Sequence, residues 1–94
     1  MEESAFREHL ARDGFDKVGV VEWEASKASE SHVHDFDVSG MLLDGVITVK
    51  TEAAAMACQP GDTFEVAANT PHTETVGTDG ARVLIGRRAK TSAS

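Results

Sequence analysis

Three of the four histidines in this chain stand where they could share one ligand. His32 and His34 are two residues apart, so in an extended backbone both side chains leave from the same face and both imidazoles can reach one ion. His72 follows a proline at the start of a later extended run, and Glu74 repeats the two-residue spacing. If the two stretches face each other, they offer three neutral imidazoles and a carboxylate. That mixed nitrogen and oxygen set suits a divalent Fe, Mn, Ni, Cu or Zn ion. Glu74, where it is not a ligand, is the candidate general base, because a carboxylate desolvated in an interior can be pushed toward neutrality.

Other reactive residue types carry weaker signals. His9 sits among charged neighbours in a helical pattern and is expected to face solvent. Cys58 reads as a small buried hydrophobe, with no neighbour in sequence to activate it. Trp23 could stack on a ligand, but on an apolar strand face it reads first as core or subunit interface. Arg82, Arg87, Arg88 and Lys90 read as a solvated charge run, within which an inward arginine could clamp a substrate carboxylate.

The elements that must position these residues follow from periodicity. Phe6 and Leu10 lie four apart in an acid-first, arginine-last segment that Gly14 ends, which predicts a helix over 2–14. Alternation then predicts extended runs over 17–25, 32–43, 46–50, 53–58, 63–66, 72–76 and 81–88. Asp44-Gly45 reads as a hairpin turn, and Pro60-Gly61-Asp62, Asn69-Thr70-Pro71 and Thr78-Asp79-Gly80 read as further turns. The 89–94 tail is small and polar and is expected to fray. Many short strands after one helix predict an all-β barrel or sandwich with the helix at its N-terminus.

Size and charge exclude several functions. Ninety-four residues make one domain, with a core thin enough that a metal or a second subunit would help it. A net charge of −7 is the wrong sign for nucleic acid or an anionic membrane. No apolar run approaches the roughly 20 residues of a membrane helix. One cysteine and no basic, apolar leader favour the cytoplasm.

His32-Val-His34 with Gly45 eleven residues later, then Pro60-Gly61-Asp62-Thr63-Phe64-Glu65-Val66 and Asn69-Thr70-Pro71-His72, resemble the two signature motifs of the cupin superfamily. The resemblance spans about 17–88 and implies a single jelly-roll barrel whose first motif carries two metal-binding histidines and whose second carries a third. The usual first-motif glutamate falls at Val38, which cannot ligate. Asp37 is one residue earlier and would point away unless a bulge re-aimed it. His72-Thr-Glu74 is similar to the second motif of pirin-like cupins, which implies Glu74 as the carboxylate ligand. Asn69 stands at a glycine position of the motif, and asparagine tolerates the positive φ that the turn needs.

The resemblance implies a small metal-binding cupin, probed as an enzyme of dioxygenase or isomerase type on a small oxygenated molecule. The other readings are a non-catalytic ligand-binding or sensing module, or a barrel whose metal is purely structural. A homodimer that covers an exposed sheet edge is the expected assembly.

Overall fold

The computed structural model describes residues 1–89, and the expected frayed tail lies outside them apart from Ala89. A helix, α1 (Glu3–Arg12), is followed by strands β1 (Lys17–Trp23), β2 (Phe36–Thr51), β3 (Ala55–Cys58), β4 (Thr63–Val66) and β5 (His72–Ala89). Among the described residues no helix is long and apolar enough to cross a membrane.

Two expected turns are corrected. Asp44-Gly45 does not reverse the chain, and neither does Thr78-Asp79-Gly80: β2 and β5 run straight through them. The glycines do take positive φ, +86° at Gly45 and +75° at Gly80. They use it to bend two paired strands together. Pairing slips between Leu42 and Asp44 and again between Gly45 and Ile47, which marks bulges. Gly45 packs against the Gly80 carbonyl so closely that a Cβ there would overlap it. A loop motif and a bulged corner ask the same of the backbone, and only the partner strand distinguishes them.

The bends split the long strands into two layers. The N-terminal half of β2 pairs with the C-terminal half of β5 and with β4, and β1 adds on the far side of β5. The C-terminal half of β2 pairs with the N-terminal half of β5 and with β3. All these ladders are antiparallel. Leu42, Ile47, Val49, Phe64, Val83 and Ile85 form the core between the layers.

The helix covers the outer face of one layer. Phe6, Leu10 and Phe15 pack with Met41 and Leu84, which are register partners on β2 and β5. This explains the uninterrupted buried runs at 39–42 and 83–86, since both faces of the sheet are covered there. Gly14 (φ +82°) ends the helix, and the N–H groups of Gly14 and Phe15 donate to the carbonyls of Ala11 and Leu10, a Schellman closure. Burying each large apolar side chain is worth about 1.5–3 kcal/mol, which holds a ten-residue helix that would not persist alone. Gly86 lets the helix approach, since a Cβ there would lie 2.6 Å from Leu10.

Candidate metal centre

The site lies at one end of the space between the layers, where the segment before β2 meets the start of β5. The strand expected from His32 begins only at Phe36, so the two histidines precede it. His32 is nevertheless locked in place by a single bridge, in which His32 and His72 exchange N–H to carbonyl bonds of 3.0 Å in both directions. Such a pair sets the two side chains next to each other, and their ring centroids are 4.3 Å apart. The His34 carbonyl accepts from Asn69 N–H at 2.7 Å. Asn69 holds φ at +63°, as expected for the turn before His72. The backbone of Glu74 is fixed at both groups: its N–H donates to the Ser29 hydroxyl, and its carbonyl accepts from Ser29 N–H.

These anchors bring three imidazoles together. His32, His34 and His72 each offer a ring nitrogen within 4.8 Å of the others'. Nδ1 of His32 lies 2.8 Å from the Glu30 carbonyl and Nδ1 of His72 lies 2.9 Å from the Thr70 carbonyl. A carbonyl only accepts, so each Nδ1 carries a proton and Nε2 is the nitrogen left to offer a lone pair to an ion. Glu74 Oε1 is 3.2 Å from His32 Nε2 and 3.8 Å from His72 Nε2. His72 is only 5 % exposed, whereas His32 and His34 are half-buried at the cavity edge. The donor set, its convergence and the back-side carbonyls all fit a divalent ion.

His34 is held below the usual imidazole range. Burial disfavours its charged form most, and the neighbouring His32 and His72 add to this, as does Arg87, while Glu74 opposes it. A neutral His34 is the ligating form.

Asp37 points elsewhere. Its Oδ1 accepts from Ala68 N–H at 2.8 Å, and its Oδ2 meets Arg88 at 2.8 and 3.1 Å. Arg88 also donates to the Asp13 carbonyl and lies over Phe15. The pair thereby ties β2 and β5 to the end of α1, so Arg88 is not merely part of a solvated charge run; Lys90, the last residue of that run, lies outside the described residues. Val38 lines the cavity beside the histidines, at the position where the first-motif glutamate would stand. His9 is not simply solvent-facing: its two ring nitrogens approach Asp13 at 2.9 Å and Glu65 at 3.4 Å on the helix side of the sheet. Cys58 is buried, as expected, and burial raises its thiol above the ordinary range, with Asp62 adding to the effect.

The cavity over the histidines measures about 220 Å³ and continues the same face of the chain. Phe36 and Val38 extend the even-numbered series of His32 and His34, and Phe64, Val66 and Ile85 close the apolar wall. Simple continuation of the two-residue period past His34 picks out Phe36 and Val38. Arg87 stands at the rim, and nothing in its local sequence separates it from Arg82 or Arg88. A second cavity of about 190 Å³ shares Trp23 and Glu74 with the first and adds Lys27, Ser29 and Val76.

No family model matches the sequence, and no curated protein matches it. Solved structures do match. A cupin protein from Bacteroides fragilis superposes with a TM-score of 0.65 at 16% identity, covering 82% of this chain and 68% of that one. KdgF from Halomonas sp. gives 0.64 at 19% identity, with 82% and 72% covered. The DMSP lyase DddQ from Ruegeria pomeroyi gives 0.70 at 19% identity, with 82% of this chain but only 40% of that chain covered. With its bent antiparallel layers, N-terminal helix and histidines on the inner face, the chain has the cupin jelly-roll fold.

Proposed function

We propose that the chain holds a divalent first-row metal ion with His32, His34, His72 and Glu74, and presents it to a small oxygenated molecule in the cavity above. The observation that carries this reading is the back-side anchoring of His32 and His72, whose Nδ1 groups are committed to carbonyls so that both Nε2 lone pairs converge with His34. Such an ion, when bound, supplies Lewis-acid or redox chemistry at positions the protein leaves open. Phe36, Val38, Phe64 and Ile85 exclude water around the ligand, and Trp23 walls the cavity beside Glu74. The likeness to a DMSP lyase supports an enzymatic use of this space, and a dioxygenase- or isomerase-type reaction suits the donor set.

A binding or sensing module is the second reading, favoured by one observation. Among the described residues Glu74 is the only carboxylate lining the cavity, so once it ligates, none of them remains as a carboxylate base for proton transfer. Assembly as a homodimer is supported by β1, which among the described residues pairs with β5 alone and exposes Val18 and Val20 at 41 % each. The buried, unpaired Cys58 suits a reducing cytoplasm.

Trp23, the single tryptophan, reports on the site directly. Titration with Co²⁺ is expected to quench its fluorescence saturably at one ion per chain, and His72→Ala is expected to abolish the saturable phase. Unchanged quenching in that variant would overturn the ligand set. Turnover under air with diketone, flavonol, thiol and sugar substrates then separates the enzyme from the binding module.

A further inference from the structure

We infer that the ligand of this cavity carries a carboxylate, and that Arg87 at the rim receives it. Arg7, Arg82 and Arg88 each face a carboxylate of their own, Glu3, Glu22 and Asp37. Among the described residues neither Arg12, on the exposed face of α1, nor Arg87 has such a partner, and of these two only Arg87 lines the cavity. Its guanidinium lies instead over the Phe36 ring, 5.7 Å from the centroid. Phe36 in turn stacks on His34, with centroids 4.7 Å apart and planes 18° from parallel. One aromatic ring therefore links the unpaired guanidinium to a candidate metal ligand.

The charge balance points the same way. The chain carries a net charge of −7, so most of its surface repels an anion. The cavity is less acidic than that surface: among the described residues Arg87 offsets the one lining carboxylate, Glu74, and Lys27 stands in the adjoining space. A bound divalent ion would give the cavity a net positive charge. The guanidinium fork matches a carboxylate with two parallel N–H···O bonds. The apolar wall of Val38, Phe64 and Ile85 takes the rest of the ligand, and the volume limits it to a small molecule. The class is thus a small monocarboxylate with an apolar or lightly oxygenated body. This deepens the metal-centre reading and rests on it only for the ligand's second anchor.

The experiment compares butanoate with its uncharged isostere butanamide by calorimetry, on the Zn²⁺-loaded and the metal-free chain. Arg87→Met keeps much of the apolar stem and removes the fork. Arg82→Met removes the same charge from a residue outside both cavities. We expect Arg87→Met to weaken butanoate about tenfold or more, as loss of a charge-assisted pair implies. Butanamide should change less than about twofold, and Arg82→Met should leave both ligands as in the wild type. Arg87→Lys should restore part of the loss as a point charge, and it serves in place of Arg87→Met should that variant melt early. Butanoate binding that is absent in the wild type, or equal in wild type and Arg87→Met, would overturn the inference. Failure of the metal reading looks different: Zn²⁺ itself would not bind, while butanoate would still depend on Arg87.

Discussion

Two histidine neighbourhoods lie on opposite faces of the same layer and have different physics. On the helix side, His9 has Asp13 on one ring nitrogen and Glu65 on the other, and the buried Ser39 hydroxyl also donates to Glu65. Both nitrogens are used by the protein. On the inner side, His32 and His72 give one nitrogen to a carbonyl and turn the other to a shared spot. A carboxylate beside an imidazole does not make a metal site. A neutral acceptor behind the ring and a convergent lone pair in front do.

The sharpest way to break this contrast is to remove one histidine from each region. His72→Ala should lower metal affinity by at least about a hundredfold, since loss of outer partners alone typically costs 10–100-fold. His9→Ala should leave metal affinity within about twofold. Equal losses in calorimetric titration would mean that the inner cluster is not special.

Melting extends the comparison to stability. Metal at about 100 times its Kd should add roughly 2.7 kcal/mol to the wild type and to His9→Ala. It should add almost nothing to His72→Ala, and a chelator should reverse the gain. Collapse of the wild type on chelation, rather than a lowered melting point, would identify the metal as structural.

Glu74→Gln keeps the shape of the side chain and removes its charge. A loss of about tenfold in metal affinity, smaller than for His72→Ala, is expected if the carboxylate completes the donor set. No loss would free Glu74 for the role of base.

Acid should separate the two regions more gently. His34 is held below its ordinary range, so the unfolded chain binds more protons once the pH drops below about 6.5, the ordinary imidazole value. The metal-free protein should therefore lose stability as the pH falls through that value, until His34 itself protonates. Urea midpoints between pH 7 and 5 should fall less in His34→Gln than in the wild type.

His9→Ala should be the mildest change to the fold. Its pairs are partly exposed, and their loss is worth about 1 kcal/mol or less. A much larger drop in the urea midpoint would make the Asp13, His9 and Glu65 contacts a main anchor of α1.

Much of this was legible from residue order. The helix stripe of Phe6 and Leu10 and its Gly14 stop are local and appear as read. The His-x-His pair precedes the strand expected to carry it, yet both rings still come near His72. Asp44-Gly45 and Thr78-Asp79-Gly80 misled, because positive φ serves a reversal and a bulged corner equally well. Arg87 was indistinguishable from Arg88, since adjacent strand residues take opposite faces and only packing says which face is the cavity.

The order of residues by itself determined the extended runs, the helix and its cap, and the pairing of donors at a spacing that one ion can span. These depend on sterics and periodicity within a few residues. Whether His32 meets His72, whether Asp37 or Glu74 faces the cavity, and which arginine lines it were decided only by the bent pairing of β2 with β5. Contacts between residues some forty positions apart are set by strand register, and register comes from burying the whole core at once.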